Sequence, residues 1–134
     1  MIGRKLRWML VAGRNRNFVS GLQPGLKIRL HGDSELCHLI YCRHFEAHER
    51  EFLNRFLRPG DVFVDVGANI GLFTLIAAER VGPGGKVLAF EPTAKTFGRL
   101  VDNVQLNKLS NVECFKLALS DSQGHLQLLS LIHI

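Results

Sequence analysis

The residues with the clearest chemical purpose lie between Asp65 and Glu91. In Val64-Asp65-Val66-Gly67-Ala68-Asn69-Ile70-Gly71 an acid stands at the end of an apolar β-branched run, and two glycines follow it. A glycine at 67 lets a ligand approach the backbone where a side chain would collide, and a glycine at 71 suits close packing of the helix that follows. Glu91 ends the next apolar run, 20 residues after Gly71, about the spacing at which an acid meets ribose hydroxyls in nucleotide-binding folds. A carboxylate can accept from two hydroxyls at once, so the pair of runs reads as a nucleoside site.

The kind of nucleoside follows from what the turn lacks. A dinucleotide fingerprint has three glycines, the middle one leaving room for a pyrophosphate. Here the spacing is Gly67-x-x-x-Gly71, with Ala68 and Asn69 between and the acid Asp65 just ahead. A carboxylate repels phosphate and attracts an ammonium group. The local chemistry therefore favours a nucleoside joined to an amino acid. A nicotinamide-dependent oxidoreductase remains the first rival, and a non-catalytic interaction module the second.

Positioning these residues requires alternating strands and helices. Leu26-Lys27-Ile28-Arg29-Leu30 alternates apolar and polar, as a half-buried strand does, and His31-Gly32-Asp33 turns after it. Glu46 to Leu57 has helical spacing and stops at Pro59-Gly60. Val62–Val66 is expected to be a strand buried on both faces, followed by a helix over Leu72–Arg80. Lys86–Phe90, Ala94–Asn107 and Asn111–Leu117 read as strand, helix and strand. The alternation predicts an α/β fold with a parallel, doubly wound, Rossmann-like sheet. Asn103 and Asn107 are read as helix-surface or capping residues. The six histidines show no metal-binding spacing, so each is expected to be structural; His44 and His48 share a helical face if the helix reaches that far.

With 134 residues, 46% hydrophobic and 22% charged, the chain suits one small globular domain. Its net charge of +5 is local. Arg4, Lys5, Arg7, Arg14, Arg16, Lys27 and Arg29 precede Asp33 with no acid among them, whereas the remainder has 10 basic and 12 acidic residues. Residues 1–25 are read as a basic lead-in, solvated rather than membrane- or nucleic-acid-bound. The run Trp8–Ala12 is too short for a secretory signal, and three cysteines without a C-x-x-C pair suggest no zinc site or disulfide framework, so a cytoplasmic setting is the default.

Phe56 to Thr74 resembles the opening block of FkbM-type methyltransferases. Ala89-Phe90-Glu91-Pro92, Asn103 to Asn107 and Ala118-Leu119-Ser120-Asp121 are similar to later blocks of that family, in the same order. The resemblance implies a class I methyltransferase fold binding S-adenosyl-L-methionine. It places Asp65, Gly67, Ala68, Asn69 and Gly71 along the methionine moiety, Glu91 with Pro92 at the ribose, and Ala118 and Leu119 near the adenine. It further implies methyl transfer to a hydroxyl of a sugar or other small molecule, with no nucleic-acid partner; no catalytic base is legible. A seven-stranded sheet is usual for such a fold, so residues 26–128 are expected to be its cofactor-binding half, inactive alone. Leu129–Ile134 resembles one frame of a sequencing adapter and is expected to be a non-native tail, a genuine apolar strand being the alternative.

Overall fold

The computed structural model describes residues 2–12, 16–42 and 47–125. Phe45, Glu46, His44, Leu126–Leu128 and the suspected tail lie outside the described residues.

The core of the fold is the stretch that the sequence marks most strongly. Strands β3 (Val62–Val66), β4 (Lys86–Phe90) and β5 (Val112–Phe115) form a parallel sheet in the order β3-β4-β5. Helices α4 (Leu72–Val81) and α5 (Ala94–Leu106) make the two crossovers. Asp65 pairs in register with Ala89, and Val66 with Phe90, so the strands' carboxyl ends share one edge. Phe90 in turn registers with Phe115, and their rings stack 4.8 Å apart. The Rossmann-like α/β expectation holds.

One face of this sheet differs from expectation. Val87 and Ala89 are buried beneath the helices, but Val62, Val64 and Val66 are 65%, 48% and 61% exposed. Side chains alternate across a strand, and among the described residues the covering elements lie on one side only. The apolar run of β3 therefore gives a strand covered on a single face, not on both.

A second layer lies outside the helices. β1 (Asn17–Gln23) and β2 (Leu26–His31) form an antiparallel hairpin that turns at Pro24-Gly25, with Gly25 in the left-handed region at φ 84°. Leu26, Ile28 and Leu30 point into the core as the alternation predicts, and β2 lies against α4 and α5. The strand runs on through His31, which is buried; that burial, then the Arg99 charge, lowers its pKa.

The reading of residues 1–25 as a solvated lead-in is corrected. α1 (Ile2–Ala12) buries Trp8 against Phe18, His38 and Tyr41, with ring centroids 5.7, 5.2 and 5.7 Å away. Leu6, Met9 and Leu10 stay exposed, so among the helix's described side chains Trp8 alone is buried, which leaves little periodic signal. α2 (Glu35–Cys42) was also not anticipated; Ser34 Oγ accepts the Cys37 N–H, as an N-cap does. α3 (Ala47–Phe56) packs on α4 and leaves Phe52 and Phe56 stacked and exposed.

The layers are also tied by charge. Asp33 accepts from Lys95 Nζ at 2.7 Å and from Arg99 Nη2 at 2.8 Å, which holds its carboxyl down at about 2. A depressed carboxylate stabilises the fold above its unfolded pKa of ~4, and that contribution fades as pH falls toward 2. After discounting for solvent screening, Asp33→Asn should cost about 1 kcal/mol at pH 7 and almost nothing near pH 2. Urea unfolding at both pH values checks this; an equal loss at both would reject it.

Candidate cofactor site

The turn between β3 and α4 is built by residues in unusual backbone conformations. Gly67, Asn69 and Gly71 have φ of 75°, 52° and 96°. A Cβ added at Gly67 would meet nothing within 4 Å, so that position faces open space at the strand ends. A Cβ at Gly71 would lie 2.8 Å from Leu100 Cδ1. Gly71 therefore serves close packing against α5.

Both acids sit where the chain reverses. Asp65 is buried, and its Oδ2 accepts the Thr74 hydroxyl at 2.5 Å. Burial pushes its carboxyl pKa up, the Thr74 hydrogen bonds oppose the rise, and the Glu91 charge adds to it. Glu91 is buried as well. Its Oε2 accepts the Asn69 N–H at 3.0 Å and its Oε1 the Thr93 N–H at 2.9 Å. Each oxygen keeps a further lone pair, so the fixed carboxylate retains capacity for two hydroxyl donors.

The turn's own amides decide between ligands. Gly67 and Ala68 both donate to the Phe90 carbonyl, Asn69 to Glu91, and Gly71 to the Ala68 carbonyl. These four N–H groups are committed within the protein. A pyrophosphate cradle needs such donors free. Two carboxylates and a turn with these four amides committed suit a cationic amino-acid moiety on a ribose instead.

The remaining predicted residues are less closely joined. Pro92 is half-buried beside Glu91, while Ala118 and Leu119 are exposed in irregular chain beyond β5. The Glu91 N–H donates to the Phe115 carbonyl, which sets the start of that chain beside the Glu91 rim. Thr74 and Asn103 were missed as site-building residues. Asn103 was read as a surface residue and is fully buried; Asn107 does stand at the helix C-cap. The spacing of two asparagines one helical turn apart was the available signal. Among the described residues no group of His, Cys, Asp or Glu is placed to hold a metal ion, and no helix is long and apolar enough to cross a membrane.

A parallel sheet with this turn and these two acids defines a Rossmann-like domain of the methyltransferase class, with S-adenosyl-L-methionine as its cofactor. The chain belongs to the TRM5/TYW2 methyltransferase domain family, whose model matches residues 28–126. It is 41% identical over 90 residues to methyltransferase sdnD of Sordaria araneosa, covering 66% of this chain and 34% of that protein. The 31-O-demethyl-FK506 methyltransferase FkbM of Streptomyces tacrolimicus is 44% identical over 68 residues, covering 51% of this chain and 25% of that protein. In structure the chain is similar to P. horikoshii TYW2 in complex with MeSAdo, with a TM-score of 0.62 and 25% identity over 82% of this chain and 39% of that one. M. jannaschii TYW2 in complex with AdoMet gives 0.59 and 26%, over 76% and 43%. The chain thus spans less than half the length of these relatives.

Proposed function

We propose that the chain carries the cofactor-binding part of an S-adenosylmethionine-dependent O-methyltransferase of the FkbM type, acting on a hydroxyl of a small molecule or sugar. The observation that carries the cofactor part is the pairing of Glu91, pinned by two backbone amides, with Asp65 across a turn in which the Gly67, Ala68, Asn69 and Gly71 amides are committed to the protein. Glu91 holds the ribose hydroxyls, and Asp65 with the Gly67–Gly71 turn faces the methionine moiety. Ala118 and Leu119 flank the adenine. Bound there, S-adenosylmethionine supplies an electrophilic methyl group. The described residues contribute binding and orientation, which raise the effective concentration of reacting groups.

The small-molecule acceptor is supported by the 44% identity to the FK506 methyltransferase. A second reading has a specific basis. Ribosomal RNA large subunit methyltransferase E of Sorangium cellulosum is 40% identical over 68 residues, which makes an RNA acceptor the alternative.

Calorimetric titration of the chain with S-adenosylhomocysteine should show saturable binding that NAD does not displace; displacement by NAD would reject the assignment. Labelled-methyl transfer by the complete protein to hydroxylated small molecules, set against ribosomal RNA, then separates the two acceptors.

A further inference from the structure

Among the described residues the β2 edge that faces α5 has no neighbouring strand, yet the backbone groups of Lys27 and Arg29 on it are satisfied. Asn103 Oδ1 accepts the Arg29 N–H at 2.6 Å, and Asn103 Nδ2 donates to the Arg29 carbonyl at 3.4 Å. One turn later, Asn107 Oδ1 accepts the Lys27 N–H at 2.8 Å and Asn107 Nδ2 donates to the Lys27 carbonyl at 2.7 Å. Two side-chain amides on a helix thus take the place of a partner strand.

Asn103 does one thing that Asn107 does not. Its Nδ2 also donates to the Ile70 carbonyl at 2.9 Å, inside the cofactor turn. Ile70 lies between Asn69 and Gly71, both in the left-handed region, and Asn69 in turn donates its N–H to Glu91. A left-handed non-glycine residue persists only where its surroundings over-determine it. Asn103 is fully buried and uses its acceptor and both amide hydrogens. Aspartate lacks the donors, leucine lacks donor and acceptor, and glutamine is a methylene too long.

We propose that Asn103 is a positioning residue for cofactor binding, coupling the β1–β2 hairpin to the Ile70 carbonyl and so to the Asn69–Glu91 contact. This rests on the turn being the S-adenosylmethionine site. The coupling is reciprocal, since whatever the hairpin does for the ligand the ligand does for the hairpin.

The test uses S-adenosylhomocysteine as probe and has two arms. By calorimetry, Asn103→Ala should weaken binding about tenfold and Asn107→Ala less than about twofold, although both lose hairpin contacts and some thermal stability. Equal losses in the two variants would overturn the proposal and leave Asn103 a merely structural residue. Should Asn103→Ala fail to fold, the unaltered chain answers by amide hydrogen exchange. Saturation with the probe should then raise protection of the Arg29 amide about tenfold more than that of Lys27, far from any ligand contact. A uniform rise, or none, would overturn the coupling. Failure of the unaltered chain to bind the probe at all would instead reject the site assignment.

Discussion

Glu91→Gln is expected to weaken S-adenosylmethionine binding by about 100-fold, because two hydrogen bonds to a charged acceptor, at ~1.5–3 kcal/mol each, are weakened together. The carboxylate does two jobs at once. Toward the protein it takes the Asn69 and Thr93 amides, and toward the ligand it offers its remaining lone pairs. Glutamine turns one of its two oxygens into a donor, which then faces either a backbone N–H or a ribose hydroxyl. The turn is therefore disturbed even before ligand arrives, and the thermal transition should fall by a few degrees, as a loss of ~1 kcal/mol does in a domain of this size. Titration calorimetry with S-adenosylhomocysteine measures the affinity. A variant that binds within about threefold of the parent chain would remove Glu91 from the site.

Asp65→Asn should separate function from stability. Burial raises the Asp65 carboxyl pKa, so its ionised form is disfavoured in the folded chain. The sign follows from proton binding. Where the folded pKa exceeds the unfolded one, the folded state holds the proton more tightly, and stability is lost as pH rises through the folded value. An ionised Asp65 is thus a burden on the fold. Asparagine keeps an acceptor for the Thr74 hydroxyl and removes the charge. The expected result is a gain of about 1 kcal/mol in urea unfolding at pH 7, shrinking as pH falls toward the ordinary carboxylate range. Cofactor affinity should drop about 100-fold, through loss of the attraction to the methionine ammonium. Lower stability at pH 7 together with unchanged affinity would show Asp65 to be a structural acceptor for Thr74 alone.

These expectations rest on features that reach the sequence in different ways. The run Val62–Val66, the turn Gly67–Gly71 and Glu91 at the end of Lys86–Phe90 are local. β-branched residues favour a strand, glycines permit left-handed backbone, and the acid's distance from the turn is set by one helix and one strand. That is why the strand, the turn with its left-handed positions and the acid at the end of the next strand were legible. The alternation of Leu26–Leu30 likewise gave its inward face correctly, because period two allows only one arrangement with three apolar residues inside.

Other features exist only once distant segments meet. Nothing near Asn103 in the chain says that its amide will reach Arg29 and Ile70, 74 and 33 positions away. Thr74 reads as an ordinary helix residue until α4 brings its hydroxyl to Asp65. Trp8 is one ring in a helix rich in basic residues, and its burial depends on Phe18 and Tyr41 arriving from elsewhere. Whether β3 is covered on one face or two is decided by which elements pack against it, not by its own five residues. The sequence by itself determined the strand–turn–helix chemistry of the cofactor turn, since local backbone preference and residue charge act over a few positions. Tertiary structure alone decided which polar side chains hold that turn in place, because a buried amide takes its meaning from partners that only folding supplies.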